Sequence, residues 1–329
     1  MGENNQEKTL DSLLSDCPVD SIIGDNLIRA WAKINSPLYD NIVCSISGGS
    51  DSDIILDICT KCDKENKIKY VWFDTGLEYQ ATKDHLKYLE DKYGITIQRV
   101  KAIKAIPVSC KEYGQPFKSK FVSEMIYRLQ KHNFKFEDKS FEELYSEYPR
   151  CKVALQWWCN KNLSLNFNIC RNKYLKEFIV LNPPQFKISG KCCDGAKKNV
   201  IHKIVKDTNA DLSITGIRKS EGGIRGTAYK SCFEERLDGC DEYRPVFWYK
   251  SETKKKYNEH YGICNSDCYV KYGLSRTGCA GCPFGRDFEF ELEVIRKYEP
   301  RLYNAVNSIF GDSYEYTRKY KEFCKEMRR

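Results

Sequence analysis

The stretch SISGGSDSD, residues 45–53, decides how the rest of the chain is read. It follows the apolar run Ile42-Val43-Cys44 and precedes IILDICTKC, in which Ile54, Ile55 and Ile58 recur at helical spacing. The pattern predicts a strand over 41–47, a tight turn, then a helix. Gly48 and Gly49 permit backbone conformations that a Cβ forbids and let a ligand approach closely. A helix start offers unpaired N–H groups and a partial positive charge. Ser47, Ser50 and Ser52 add hydroxyls beside it. Together these features describe an anion cradle, and phosphate is its usual guest. The G-x-x-x-x-G-K-[ST] spacing of a Walker loop is absent.

Outward from this loop the helix–strand rhythm continues. Residues 1–40 read as a leader with one helix around 22–35. Residues 68–73 form a second expected strand, ending in Asp74-Thr75-Gly76. A helix over 79–93 is closed by Gly94, and a third strand covers 95–100. Residues 101–190 break the rhythm with an aromatic and basic segment, expected to be a largely helical insertion; Trp157-Trp158 within it reads as core. A helix over 196–207 and a strand over 211–217 resume the pattern. The segment 251–261 is a helix leading into a cysteine-rich stretch. Strands alternating with helices predict an α/β fold with a doubly wound, mostly parallel sheet. The expected divisions are a leader (1–40), a nucleotide-binding α/β domain (41–250, with insertion 101–190) and a Cys-rich helical region (251–329).

In such a sheet ligands sit outside the carboxyl ends of the strands. Asp74, Thr75 and Gly76 are therefore expected beside the loop. So is GIRKSEGGIRG, which supplies Gly216, Arg218 and Arg225. Guanidinium groups match phosphate and sulfate bidentately.

The chain has 329 residues, 41% hydrophobic and 30% charged, with 17 cysteines and a formal net charge of +8. No apolar run approaches the ~20 residues of a membrane helix. The polar, acidic opening MGENNQEKTLDSLLSDC does not fit a signal peptide, so a cytoplasmic location is expected. There, clustered cysteines point to metal or catalysis rather than disulfides. Cys279-x-x-Cys282 is a two-ligand clamp that needs two more ligands. The adjacent pair Cys192-Cys193 supplies them for a [4Fe–4S] cluster, with Lys197 as a nearby positive charge. Cys264 and Cys268 supply them instead for a four-cysteine Zn²⁺ site with Cys279 and Cys282. The Lys254-Lys255-Lys256 run reads as a solvated helix face, although the overall charge also suits a polyanionic partner.

Ser47-Gly48-Gly49-Ser50-Asp51-Ser52 resembles the PP-loop, SGGxDS, of the ATP pyrophosphatase superfamily, the adenine nucleotide alpha hydrolase-like fold. SGGSDS, WFDTGLEY, GQPFKSK, KCCDGAKK, ITGIRKSEGGIR, YRPVFWYKSETKKKY and RTGCAGCPFG, in that order, resemble the phosphoadenosine phosphosulfate reductase family within it. The resemblance implies an adenine nucleotide at residues 47–52. It implies a [4Fe–4S] cluster on Cys192, Cys193, Cys279 and Cys282, with Lys197 four residues after the pair. It also admits a homodimer. Two departures stand out. The family's C-terminal Glu-Cys-Gly-[Ile/Leu]-His nucleophile segment is replaced by KEFCKEMRR, leaving Cys324 as the candidate thiolate. The loop is intact, whereas sulfonucleotide reductases carry a degenerate one. The leading expectation is thus an ATP- and Mg²⁺-using enzyme that adenylylates an acceptor, with Asp51 or Asp74 positioning the metal, and that supports sulfur transfer. A nucleic acid or a sulfur-donor protein is the expected partner. The alternatives are a sulfonucleotide reductase releasing sulfite, with Cys324 attacking, and a non-catalytic nucleotide or nucleic-acid sensor.

Overall fold

The computed structural model describes residues 9–221, 228–237, 239–285 and 287–328. They form two compact units. The first comprises residues up to Asp74, Glu78–Ala102 and Lys198–Gly278; the second comprises Thr75–Leu77, Ile103–Lys197 and the chain from Cys279 onward.

The first unit is an α/β layer structure. Helices α1 (Leu10–Ser15) and α2 (Ser21–Ile34) precede β1 (Ile42–Ser45), α3 (Ser50–Cys62), β2 (Ile68–Asp74), α4 (Gln80–Tyr93) and β3 (Ile97–Lys101). The sheet order is β3-β2-β1-β4-β6-β5, with β4 at Leu212–Thr215, β5 at Phe233–Glu234 and β6 at Asp241–Tyr243. All pairings are parallel except β5 with β6. The α/β, mostly parallel expectation is thus met. β1 is shorter than its apolar run suggests, ending at Ser45, with Ile46 N–H bonding the Val71 carbonyl just beyond it, whereas β2 runs one residue longer, to Asp74.

Alternation along β1 divides the core. Ile42 and Cys44 join Leu27, Ile54, Ile58 and Tyr257 on one face, while Val43 joins Val71, Val200 and Ile204 on the other. Side chains of period two make this unavoidable in a strand covered on both faces. Gly94 ends α4 in the left-handed conformation (φ 63°), as expected. Chain order runs outward from β1 in one direction to β2 and β3, and in the other to β4. The crevice at the carboxyl ends of β1 and β4 is therefore the topological switch point of the sheet.

The second unit is helical, with α5 (Ile106–Tyr113), α6 (Lys120–Lys131), α7 (Phe141–Glu147), α8 (Lys152–Trp158) and α9 (Leu175–Leu181). In the first unit follow α10 (Asn199–Asp207), α11 (Ser251–Tyr261) and α12 (Asp267–Val270). The second unit closes with α13 (Phe288–Tyr298) and α14 (Pro300–Glu326). Its core contains Trp157 and Trp158, fully buried as the sequence suggests, with Phe117, Phe178 and, from α14, Tyr316 and Tyr320. A turn of π-helix, Asp194–Lys198, precedes α10, where the sequence suggests one continuous helix. No described helix is long and apolar enough to cross a membrane.

Candidate functional site: a phosphate cradle and a thiol cluster

The cradle at the carboxyl end of β1 is built from side chains that close on the loop backbone. Gly48 adopts φ +65°, and a Cβ there would meet Thr82 Cγ2 at 2.9 Å. A Cβ on Gly49 would stand 3.1–3.2 Å from Ser47 Oγ, Thr277 Oγ1 and the Tyr269 hydroxyl. Gly48 therefore requires glycine, while at Gly49 a Cβ would force these hydroxyls to give way by a few tenths of an ångström. Gly49 N–H donates to Ser52 Oγ (3.0 Å), which in turn donates to the Gly49 carbonyl (2.7 Å). Ser50 N–H donates to the Tyr269 hydroxyl at 3.3 Å. The start of α3 thus presents its N–H groups to hydroxyls that can rotate toward or away from an anion.

Cations converge on the same point. Lys254 Nζ donates to Asp51 Oδ1 at 2.7 Å and also bonds Ser50 Oγ. Arg218 Nε stands 2.9 Å from Asp51 Oδ1, close enough to pair but off the axis of an aligned hydrogen bond. Arg218 is steadied by Ser220 Oγ (2.9 Å), which donates to the Tyr249 carbonyl. Gly216 lets the end of β4 reach the loop: its Cβ would lie 3.3 Å from Asp51 C and O and Ser52 N. Ser47, Gly48, Gly49, Ser50, Asp51, Ser52, Gly216 and Arg218 are therefore assembled as one crevice. Arg225 lies outside the described residues.

Asp74 ends β2 and accepts from Arg99 Nε at 2.8 Å, with a second contact from Arg99 Nη2. The structure thus pairs it with a cation of β3. Thr75 is buried, and its carbonyl accepts from Ile106 N–H (3.0 Å); Gly76 has φ +85°, and its Cβ would meet Ala105 Cβ at 3.2 Å.

Sequence pattern alone places Lys254 in a solvated run and gives no signal for Tyr269 or Thr277. The signal for Lys254 is its helix phase. Thr253 and Tyr257 of α11 face the core, so Lys254 is only 17% exposed in its side chain, whereas Lys255 is 74% exposed.

Beneath the cradle, Asp53 is fully buried, with its Oδ2 3.0 Å from His85 Nε2 and no aligned hydrogen bond. Burial pushes the Asp53 carboxyl above the ordinary range, against the opposing pull of His85.

The second unit gathers Cys192, Cys193, Cys279 and Cys282. The Cys192 thiol is raised well above its usual range, first by a hydrogen bond with Cys110, with further contributions from burial and Cys282. Cys193 is raised by its bond with Cys192 and by burial, and lowered by Lys120 and then Lys197. Burial, then Cys279, pushes the Cys282 thiol up to about 12. These thiols sense one another's charge, as a multi-thiolate site requires. Among the described residues, however, no group of three or more His, Cys, Asp or Glu side chains is arranged to hold a metal ion. The donor set fits an iron–sulfur cluster in kind, four soft sulfurs with a cationic surround. Lys120 and Cys110 are the neighbours that spacing did not signal, since both come from elements distant in sequence. Cys264 and Cys268 belong to the first unit; Cys268 Sγ lies 3.6 Å from Thr82 Oγ1. Cys324, on the last turn of α14, donates to the Lys173 carbonyl at 3.6 Å beside Tyr320.

Residues 41–139 match the phosphoadenosine phosphosulfate reductase domain family. That span includes the loop residues 47–52 and β1 to β3 but not Gly216, Arg218, Lys254 or either cysteine pair. An uncharacterized protein of Methanocaldococcus jannaschii is 30% identical over 153 residues, which is 46% of this chain and 29% of that protein. Among solved structures, a phosphoadenylyl-sulfate reductase of Candida auris in a phosphate complex is 13% identical, covering 85% of this chain and 98% of its own (TM-score 0.43). A U34-tRNA thiolase of Methanococcus maripaludis with its [4Fe–4S] cluster is also 13% identical, covering 90% and 79% (TM-score 0.38). The segment 41–139, which holds the intact SGGSDS loop between β1 and α3, is thus similar to the phosphoadenosine phosphosulfate reductase domain family.

Proposed function

We propose that this protein binds ATP in the 47–52 cradle, breaks the α–β phosphate bond and transfers the adenylyl group to an acceptor. The observation that carries this reading is the double pairing of Asp51 with Arg218 and Lys254 at the mouth of an intact loop. Two cations are more than one carboxylate needs. An incoming polyphosphate competes for both, because a guanidinium and an ammonium bind phosphate oxygens at least as well as a carboxylate does. Asp51 so released is the carboxylate available to Mg²⁺, which when bound offsets charge on the phosphates. Asp74 is the second candidate, at the cost of its pairing with Arg99.

The chain's own work is to hold and to stabilise. The N–H groups of Gly49 and Ser50 and the start of α3 receive phosphate oxygens. An acceptor oxygen attacks the α-phosphorus, the bond to the β-phosphate oxygen breaks, and pyrophosphate departs. Lys254 and Arg218 oppose the charge that develops on it. Cys192, Cys193, Cys279 and Cys282 are the residues that would hold a [4Fe–4S] cluster, which when bound can carry the sulfur that displaces AMP from the adenylylated acceptor. Lys120 and Lys197 lower the cost of gathering thiolates there. The test is ATP-dependent pyrophosphate release. Asp51→Ala should reduce it by two orders of magnitude or more while leaving iron content unchanged; unaltered release removes the assignment.

The family match over residues 41–139 favours a second reading, reduction of a sulfonucleotide to sulfite with Cys324 attacking sulfur. Full sulfite production by Cys324→Ser would exclude that role.

A further inference from the structure

The helical second unit contains a cavity of about 350 Å³ that the reading above does not use. One wall is a stripe of α6, where Glu124, Tyr127, Arg128 and Lys131 recur at helical spacing on the side opposite Val122, Met125, Ile126 and Leu129. The other wall is Arg150 and Lys152, around the start of α8, and Lys191 stands at its edge.

The charge is lopsided. Glu124 is the single carboxylate of the lining, and it pairs with Arg128 at 2.6 Å. Lys191 donates to the Tyr127 hydroxyl at 3.1 Å and lies 4.3 Å from the Tyr127 ring centre. Among the described residues Lys131, Arg150 and Lys152 have no carboxylate within 4.0 Å. Cations gathered at one concavity without counter-charge repel one another and cost stability. Packing accounts for little of them: Lys131, Arg150 and Lys152 are exposed, and Lys152 lies 5.9 Å from the Tyr145 ring centre.

We propose that this cavity is a binding site for a nucleic-acid strand, with Lys131, Arg150, Lys152 and Lys191 on successive backbone phosphates and Tyr127 at the sugar or base. The volume is at the low end of the ~300–1,000 Å³ of small-ligand pockets, enough for one nucleotide-sized group at a time. The charge exceeds what one such group requires. A phosphate monoester brings about two negative charges near neutral pH, fewer than the three cations without a carboxylate, Lys131, Arg150 and Lys152, whereas a strand brings one at each backbone phosphate. Lys191 also precedes Cys192 directly, so one edge of the cavity adjoins the thiol cluster in the chain, within the same unit. This inference does not depend on the ATP reading, and its test uses no ATP.

The experiment is fluorescence anisotropy of short end-labelled single strands of RNA and of DNA with the full-length, anaerobically purified protein, over a series of salt concentrations. Wild type should bind at least one of them. The double variant Arg150→Glu, Lys152→Glu should bind at least ten-fold more weakly, with the log–log salt slope reduced by roughly 1.4 for two lost contacts to a single strand. A control pair in the first unit, Lys64→Glu with Lys69→Glu, should bind like wild type apart from a small uniform loss. Lys131→Gln, which removes one charge and adds none, provides a milder variant should the reversal disturb folding, and should weaken binding several-fold. Equal weakening by both pairs would mean that net charge alone attracts the strand, and would overturn the proposal. So would absence of wild-type binding, or tight binding of AMP to this site that no strand displaces.

Discussion

At the scale of single residues, the cradle depends on positions where one atom more is too many. Gly48 combines a left-handed φ with close surroundings, since a Cβ added there would stand 2.9 Å from Thr82 Cγ2. Gly48→Ala should therefore cost about 1–3 kcal/mol, read as a lower melting temperature, and should weaken nucleotide binding along with it. Lys254 tests the site's electrostatics. Its Nζ holds Asp51 and Ser50 together, so Lys254→Met removes a charge-assisted bond of about 1.5–3 kcal/mol. The expected result is a ten- to hundred-fold weaker affinity for ATP with a near-normal melting temperature, measured by calorimetric titration. The glycines, serines and Asp51 are legible in the sequence because the motif is local. Lys254, Tyr269 and Thr277 are not, because they reach the loop through tertiary packing from more than two hundred residues away.

At the scale of elements, periodicity locates most helices and strands and misjudges their ends. The strand after Asp211 and the strand over 95–100 both shorten, to Leu212–Thr215 and Ile97–Lys101, where ladder partners run out. The π-turn at Asp194–Lys198 has no signature in a pattern that reads as continuous helix. Gly195 makes it intelligible, since a Cβ there would press on Lys104 Cβ at 3.1 Å. The insertion is legible as helical and aromatic, but its use of α14 to close its core is not. Tyr316 and Tyr320 of α14 pack edge-on against Phe117, with ring centres 4.9 and 6.2 Å away. Trp158→Ala in this core should destabilise the second unit by about 3–5 kcal/mol, seen by chemical denaturation. A variant that unfolds with unchanged midpoint would mean that the aromatic core does not hold that unit.

At the scale of the whole molecule, two candidate sites are present, a glycine- and serine-rich cradle in an α/β unit and a set of buried and half-buried thiols in a helical one. Cys192, Cys193 and Cys282 are raised above their usual range, so without a bound cation these three stay protonated at neutral pH. That argues against their acting as ready nucleophiles and for metal loading coupled to proton release. Cys193→Ala should lower iron content measured after anaerobic purification, while nucleotide binding by the first unit persists. The family match covers the loop of the cradle, yet both proposed reactions use it, and the difference between them is which nucleotide each requires.

The most direct test is therefore a titration of the anaerobically purified protein with ATP, adenylyl sulfate and its 3′-phosphorylated form, each with Mg²⁺. Preference for ATP, abolished by Asp51→Ala, is the result this account predicts. Preference for a sulfonucleotide, indifferent to Asp51, would contradict it.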